Sequence, residues 1–500
     1  MRRLLDSSLG RVSGYRLMTL GLGAIAITAF VLSATGLLFY TPVQLGVSLV
    51  VAVGSVVASG WLAGRIVRSP AHLESSVITG LLLFFLFWPS EDPAALGVLA
   101  VTGVLATASK YLLAVRGRHV FNPAAIAAVI IGFTQLGSSV WWVANSYLLP
   151  VVAIAGFLVL WRTRRFAVAG VFVAISGVLC TGRLIIAGTD AGTAAWTVLA
   201  SFPIVFLAAF MLSEPLTLPP RRRQQLLVAA VVGVLFSIPL AVGPFSMTPE
   251  LALVVGNAVA FVFGQRRAVR LRLVEARHPT PDIVEYVFAP LRPVVFRAGQ
   301  SLELAVPHRR ADSRGTRRVF SISSPPDDAD RITIAMRMPE VPSTYKRALA
   351  ALVPGSVVRA TSVGGDFVLP QDPSEPVLLI AGGIGITPFA SQLASDSAAG
   401  RTRDVVLVYA AGATGIAYRE VVAASGAEVV VVGEAASAEV PTGWEARRGR
   451  VDHELLDAAV PDWRTRRTFV SGSPAMVDGV RAALARRGGR SVTTDSFSGY

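Results

Sequence analysis

The feature that most constrains this chain is a succession of long apolar segments that fills residues 17 to 264 and then stops. A helix needs about twenty apolar residues to cross a bilayer, so a chain with many such stretches in a row does not fold around one water-soluble core. From residue 265 onward the pattern changes: apolar stretches of strand and helix length alternate with polar loops, as in a soluble α/β protein. A length of 500 residues also exceeds what one hydrophobic core supports. The sequence therefore reads as an α-helical polytopic membrane domain over 1–265 followed by a soluble half in two parts, 266–372 and 373–500.

Candidate spans lie near residues 17 to 40, 43 to 64, 75 to 89, 94 to 115, 120 to 137, 147 to 161, 166 to 187, 193 to 213, 225 to 243 and 248 to 264, about ten in all. Charge orients them. Alternate loops carry Arg65 and Arg68, Arg116 and Arg118, then Arg162, Arg164 and Arg165, then Arg221 to Arg223, and finally Arg266 to Arg272. The intervening loops hold Arg183 as their one basic residue. The positive-inside rule then puts the amino terminus and everything after Gly264 on the cytoplasmic side of a cell membrane. The net charge of +14 is explained by this topology and does not imply nucleic acid. The first apolar segment lacks a small-residue cleavage signature and reads as a retained span. The single cysteine, Cys180, excludes an internal disulfide, a four-cysteine iron-sulfur cluster and a cysteine-rich zinc site, and no metal site is expected.

Three stretches of the apolar half say more than hydropathy does. "SSVITGLLLFFLFWPSEDP" (75–93) closes a short apolar run on Trp88 and Pro89, "SKYLLAVRGRHVFNPAAIAAVI" (109–130) breaks and restarts at Asn122-Pro123, and "FMLSEPLTLPP" (210–220) ends a span on Ser213, Glu214 and Pro215. Asn122-Pro123 has the grammar of a helix start, with an N-cap followed by proline. Lys110 and Glu214 fall at span ends, where a polar side chain reaches the interface at little cost. In order and in residues, 15–265 resembles the NqrB/RnfD family, the large membrane subunits of the Rnf and sodium-translocating NADH:quinone oxidoreductase complexes. The resemblance implies helix breaks that shape sites for flavin and ions. Family members attach FMN covalently to a threonine in a Ser-Gly-Ala-Thr motif after Phe-Asn-Pro, but the interval "GFTQLGSSVWWVANSY" lacks it. The nearest look-alike, "TDAGTAAW" (189–196), has its Gly and Ala reversed and leaves Thr193 as the candidate for FMN in the membrane domain.

The second half carries its own chemistry. After "FRAGQSLELAVP" (296–307), a turn feeding a strand of period two, comes "RVFSISSPP" (318–326). A flavin dinucleotide needs a cation for its pyrophosphate, a flat apolar wall for its ring and a small donor near the ring nitrogen that takes hydride. Arg318, Phe320 and Ser321 supply these types on one strand. Strand alternation puts 318, 320, 322 and 324 on one face and Ser321 on the other, so the strand is expected to twist or end there. Ser343 and Thr344 in "VPSTYKRAL" open a helical pattern. "PVLLIAGGIGITPFASQL" (376–393) reads as a buried strand, a turn and a helix: Gly382, Gly383 and Gly385 admit close backbone approach, and Thr387-Pro388 begins the helix. "TFVSGSPAMVDGVRAAL" (468–484) repeats strand, turn and helix, and the chain closes on "TTDSFSGY".

Taken together, 270–500 resembles the ferredoxin-NADP reductase superfamily, a flavin-binding antiparallel barrel followed by a nicotinamide domain. On that resemblance Arg318, Phe320, Ser321, Ser343 and Thr344 would hold FAD, and Gly382, Gly383, Gly385, Thr387 and Pro388 would border the nucleotide. Ser471 and Gly472 fall at the family's Cys-Gly-x-Pro position with serine in place of cysteine, and Phe497 and Tyr500 match the terminal aromatics that cover the flavin. Ser321, Ser471, Phe497 and Tyr500 are thus the candidate catalytic residues. No arginine pair follows Tyr409, which leans towards NADH over NADPH.

The expected activity is hydride transfer from cytoplasmic NAD(P)H to FAD, with electrons passed to or through the membrane domain and coupling to ion movement left open. The acceptor is left open among a quinone, an iron-sulfur protein and a membrane flavin, and further membrane subunits are compatible with the sequence. A haem-type transmembrane ferric reductase or NADPH oxidase would need paired histidines within its spans. His72, His119, His278, His308 and His453 lie in loops or in the soluble half. A nucleotide-sensing ion carrier without turnover is the remaining alternative.

Overall fold

The computed structural model describes residues 12–67, 73–115, 118–219, 221–242, 245–263, 269–308, 312, 316–328, 330–411, 415–433, 440–485 and 492–496. The chain divides into two compact units, one spanning Val12–Gln265 and the other carrying Arg266–Tyr500.

The first unit is built of helices: α1 (Gly14–Ala34), α2 (Pro42–Ile66), α3 (Leu73–Leu86), α4 (Pro93–Leu112), α5 (Pro123–Thr134), α6 (Leu149–Thr163), α7 (Phe166–Ile186), α8 (Ala191–Ser201), α9 (Ile204–Leu212), α10 (Arg222–Ser237) and α11 (Pro249–Val262). Four of them start the same way. Thr41, Asp92, Asn122 and Thr248 each accept a backbone N–H of the first turn, and a proline follows directly. Such a cap satisfies a helix end from within the sequence, where lipid would offer no partner.

Among the described residues four helices, α1, α2, α4 and α7, are long and apolar enough to cross a membrane, and α8 with α9, bent by 49°, brings that count to at most five. This is fewer than the about ten spans expected, counted by helix length and composition alone. Each candidate segment is helical, but α3, α5, α6 and α11 run for only 14, 12, 15 and 14 residues. At about 1.5 Å per residue they fall short of a hydrocarbon core about 30 Å thick. Hydropathy did not register these lengths because apolar residues continue beyond the hydrogen-bonded helix. The end of α3 shows how a short helix is closed: Leu86 O accepts the N–H groups of Val140 and Trp141 at 2.7 and 3.0 Å, and Phe84 O accepts Trp142 Nε1 at 2.6 Å.

The second unit begins with an antiparallel sheet of β1 (Val269–Thr280), β2 (Ile283–Pro290), β3 (Ser301–Ala305), β4 (Arg317–Ser321), β5 (Ile332–Arg337) and β6 (Val357–Gly364) in the order β4-β3-β6-β1-β2-β5. A bridge between Ile322 and Ile334 brings the end of β4 to β5, joining the two edges of the sheet. Leu271, Leu273, Phe288, Leu304, Ile334 and Ala360 fill the interior, and helix α12 (Thr344–Ala350) packs Tyr345 and Leu349 against it.

The sequence then forms a parallel sheet of β7 (Val377–Gly382), β8 (Val405–Ala410), β9 (Glu428–Val432), β10 (Glu445–Arg447), β11 (Arg467–Gly472) and β12 (Thr493–Ser496), ordered β10-β9-β8-β7-β11-β12. Helices α13 (Thr387–Ala398), α14 (Arg419–Ala424), α15 (His453–Ala459) and α16 (Pro474–Ala485) connect the strands. Residues 377–381 of β7 are all buried, the near-continuous apolar run of a strand covered on both faces. The order reverses beside β7, between β8 and β11, and such a switch point leaves a crevice at the strands' carboxyl ends.

Candidate functional site

The first cluster forms where β4 meets α12. Arg318 and Phe320 share a strand face and both pack on Tyr345: the Phe320 ring stacks at 6.1 Å, and the Arg318 guanidinium lies 4.9 Å from the ring centroid. Tyr345 donates its hydroxyl to Leu304 O at 3.0 Å. Burial pushes its phenol far up, against a smaller opposing pull from Arg318, so it stays a neutral donor. Arg318 Nη1 donates to Arg317 O at 2.8 Å, and Nη2 reaches Asp312 Oδ1 and Oδ2 at 3.1 and 3.4 Å. The backbone N–H of Asp312 in turn donates to Thr344 Oγ1 at 3.2 Å. The structure therefore brings Arg318, Phe320 and Thr344 together, as expected, and adds Asp312 between the cation and the threonine. Ser343 is the N-cap of α12, where its hydroxyl accepts Lys346 N at 3.3 Å.

Ser321 closes β4 and turns to the other face, where its hydroxyl donates to Asp495 Oδ2 at 3.3 Å. Asp495 belongs to β12 and pairs in register with Ser471 of β11. Three strands thus deliver Ser321, Asp495 and Ser471 to one neighbourhood. Burial raises the Asp495 carboxyl above its ordinary value, opposed by the Ser321 hydroxyl. Ser471 is wholly buried, and its hydroxyl has no hydrogen-bond partner among the described residues. Buried hydroxyls are ordinarily satisfied, which makes Ser471 a candidate for contact with a ligand.

The glycine-rich turn sits against the same strand. Gly383 has φ +53°, a left-handed conformation that a side chain disfavours. A Cβ at Gly385 would stand 2.3 Å from Ser471 O and 2.8 Å from Gly472 Cα, so only glycine lets the turn lie on β11. Gly382 closes β7, Thr387 Oγ1 donates to Ile384 O at 3.0 Å, and Pro388 follows at the start of α13. The barrel and the parallel-sheet domain are pinned together nearby: Ser391 Oγ donates to Ser324 O at 2.6 Å, Gln392 Nε2 to Phe367 O at 2.8 Å, and Tyr418 OH to Glu285 Oε1 at 2.8 Å. Burial raises the Glu285 carboxyl and the Tyr418 phenol alike.

Phe497 and Tyr500 lie outside the described residues. Asp495 and Asp312 are site residues that the sequence reading missed. For Asp495 a signal existed, an acid within a strand pattern two residues before Phe497. Asp312 had none, because it sits in the arginine-rich stretch "HRRADSRGT" and looks like part of a solvated loop.

The residues present fit a flavin dinucleotide and a nicotinamide nucleotide. The Arg318 guanidinium, largely buried and paired with Asp312, is a cation suited to pyrophosphate, an aromatic wall stands beside it, Ser321 and Ser471 flank Asp495, and the Gly383 and Gly385 turn lies against β11.

In the helical unit a second polar cluster gathers residues noted in the sequence. Glu214 Oε1 lies 2.9 Å from His119 Nε2, and its Oε2 accepts Asn122 Nδ2 at 3.0 Å. The backbone N–H of Asn122 donates to Asn257 Oδ1 at 2.8 Å, and Lys110 Nζ donates to Ser75 O and Oγ at 3.0 and 3.2 Å. Thr193 lies in the first turn of α8, where its backbone N–H donates to Asp190 Oδ1 at 3.0 Å. Its "TDAGT" surroundings are accounted for by this cap.

Residues 379–482 match the family model "Oxidoreductase NAD-binding domain". The chain is 30% identical over 227 residues to "NADPH oxidoreductase" of Mycobacterium tuberculosis, covering 42% of this chain and 55% of that protein. It is 30% identical over 218 residues to "Ferredoxin--NADP reductase B" of Sorangium cellulosum, covering 42% of this chain and 84% of that one. A third relative, "Aromatic O-demethylase, reductase subunit" of Amycolatopsis, is 30% identical over 212 residues, 39% of this chain and 58% of that protein. The chain thus spans little more than half of the first and third relatives. Among solved structures, an Amycolatopsis cytochrome P450 reductase is similar with TM-score 0.39 and 26% identity, covering 47% of this chain and 70% of that one.

Proposed function

Because the chain belongs, through its reductase half, to the ferredoxin-NADP reductase family, we propose that it is a membrane-bound flavoprotein oxidoreductase that takes hydride from NAD(P)H onto FAD and passes electrons to or through its helical half. The observation that carries this reading is the convergence of Ser321, Asp495 and the unpartnered Ser471 beside the glycine turn, with Arg318 and Phe320 on the adjoining face of β4. FAD, when bound, would supply the ring that accepts a hydride and releases electrons singly or in pairs.

The chain's own residues do the positioning. Arg318 and the Thr344 hydroxyl offer the pyrophosphate a cation and a hydrogen bond, and Phe320, backed by Tyr345, gives the ring an apolar wall. Gly383 and Gly385 let the nucleotide backbone approach the end of β7, and the bonds from Ser391, Gln392 and Tyr418 fix the two domains so that the approach distance is set before binding. Ser321 and Asp495 can hold a proton between them, since burial keeps the Asp495 carboxyl easier to protonate than usual.

For the helical half, resemblance to the NqrB/RnfD family and four long apolar helices support a multi-pass membrane domain, and the arginines of 266–272 that follow its last helix support a cytoplasmic reductase half. Covalent linkage of the two halves would keep electron donor and acceptor at high effective concentration. Ion coupling, an acceptor among quinone, iron-sulfur protein or membrane flavin, and a preference for NADH belong to the same proposal.

The test is turnover by the full chain, purified in detergent and loaded with FAD, using ferricyanide as acceptor and NADH or NADPH as donor. Oxidation of either nucleotide supports the reading and ranks the two donors. No oxidation above that of an Arg318→Ala variant overturns it, and a Soret band in the purified protein would favour the haem-type alternative.

A further inference from the structure

The reading above leaves Asp312 unexplained, although it touches two of the residues proposed to hold the flavin pyrophosphate. Its carboxylate faces the Arg318 guanidinium with both oxygens, at 3.1 and 3.4 Å, and its backbone N–H donates to Thr344 Oγ1 at 3.2 Å. The ion pair is shielded, with side-chain exposures of 15% for Arg318 and 26% for Asp312, so solvent screens it less than a surface pair. Arg318 is already committed on its other nitrogen to Arg317 O, and its guanidinium is held over the Tyr345 ring. The fork is therefore fixed in place, and the donor edge reaching Asp312 is an edge that an anionic ligand would use.

A carboxylate and a pyrophosphate on the same edge of one guanidinium compete, and they also repel one another. Resting on the flavin placement proposed above, we infer that Asp312 is a built-in competitor for the pyrophosphate, and that it sets FAD affinity by requiring the Arg318–Asp312 pair to open before the cofactor seats. The backbone bond to Thr344 makes this more than a passing surface contact: it anchors the main chain at Asp312, so the carboxylate is held at the cradle. Binding then exchanges one anion for another at Arg318, and release of FAD is assisted by the return of the carboxylate. The expected consequence is a cofactor that exchanges with the free pool, in contrast to one held throughout the life of the protein.

The experiment measures the FAD dissociation constant and release rate of the full chain in detergent by flavin fluorescence, for wild type, Asp312→Asn, Asp312→Ala and Arg318→Ala. Asp312→Asn keeps the size and the backbone anchor while removing the charge, so it isolates the competition. The account predicts about tenfold tighter FAD binding and slower release in both Asp312 variants. Unchanged or weaker binding in both Asp312 variants, with affinity lost in Arg318→Ala, overturns the competition while keeping the flavin placement. Unchanged affinity in Arg318→Ala overturns the placement itself. An unfolding midpoint equal to wild type for Asp312→Asn shows that the comparison is made on folded protein.

Discussion

The two halves of this molecule bury polar groups in opposite ways. In the helical half they gather where helices break: Asn122 caps α5, bonds Glu214 and reaches Asn257, while Glu250 at the start of α11 accepts Ser139 Oγ at 2.5 Å and Trp141 Nε1 at 2.9 Å. In the reductase half they gather where strands end, with Ser321 closing β4 and Ser471 and Asp495 near the ends of β11 and β12. The helical clusters are satisfied within themselves, whereas the strand-end cluster contains a buried hydroxyl with no partner among the described residues. A fully satisfied network rigidifies the fold around it, and an unpaired buried group is uncommon enough to make its site a candidate for function. That difference predicts which substitutions unfold the molecule and which silence it.

The largest effect is expected at the glycine turn. Gly385→Ala drives a Cβ into the backbone of Ser471 and Gly472, where no flexible side chain can yield. Nucleotide-dependent flavin reduction should vanish and the reductase transition in thermal unfolding should fall by ten degrees or so, as for overpacking worth about 1–3 kcal/mol or more. Normal reduction kinetics in this variant would remove the close approach from the account.

Next in size, Glu214→Ala removes a carboxylate bonded to both His119 and Asn122. Losing the hydrogen bonds of a partly buried carboxylate costs about 1–3 kcal/mol. The helical half should lose detergent stability, read as the aggregation temperature, while FAD affinity stays at the wild-type value. A loss of FAD affinity would break the division between holding and binding clusters.

Much of both halves was legible in the sequence because the signals are local. The start at Asn122-Pro123 is written in adjacent residues, and so are the glycine turn and the Arg318 to Ser321 strand. What escaped was long-range. Ser321 and Asp495 are 174 residues apart, and His119 and Glu214 are 95 apart, and no periodicity reports that such pairs meet. Helix length escaped for another reason: apolar residues persist past the last helical hydrogen bond, so α3 and α5 looked longer than their 14 and 12 residues.

Smaller effects sharpen the comparison at the strand ends. Ser471→Ala deletes an unpartnered hydroxyl and should leave stability equal or raise it by about 1 kcal/mol, while lowering the hydride-transfer rate seen by stopped flow. Ser471→Cys, which restores the sulfur expected at this position of the family, should transfer hydride at least as fast as wild type. A Ser471→Ala protein that is markedly less stable would mean that the hydroxyl holds the fold after all.

The smallest effect concerns pH. The native Asp495 carboxyl is raised above its ordinary value of 3.8 by burial, so the folded state holds that proton more tightly than the unfolded chain does. Its contribution to stability is complete below about pH 4 and is lost as pH rises through the native value. Asp495→Asn should remove this dependence and unfold a few degrees above wild type at neutral pH, read as the reductase-half transition across a pH series. Parallel pH profiles for the two proteins would contradict the assigned cause.

The measurement that tests the central claim most directly is the absorbance of the full chain, purified in detergent with its flavin, before and after anaerobic addition of NADH or NADPH. The account predicts bleaching of the flavin band near about 450 nm by at least one nucleotide, as hydride reaches the bound ring. Flavin that binds yet stays oxidised with both nucleotides, or a chain that binds no flavin, would contradict it.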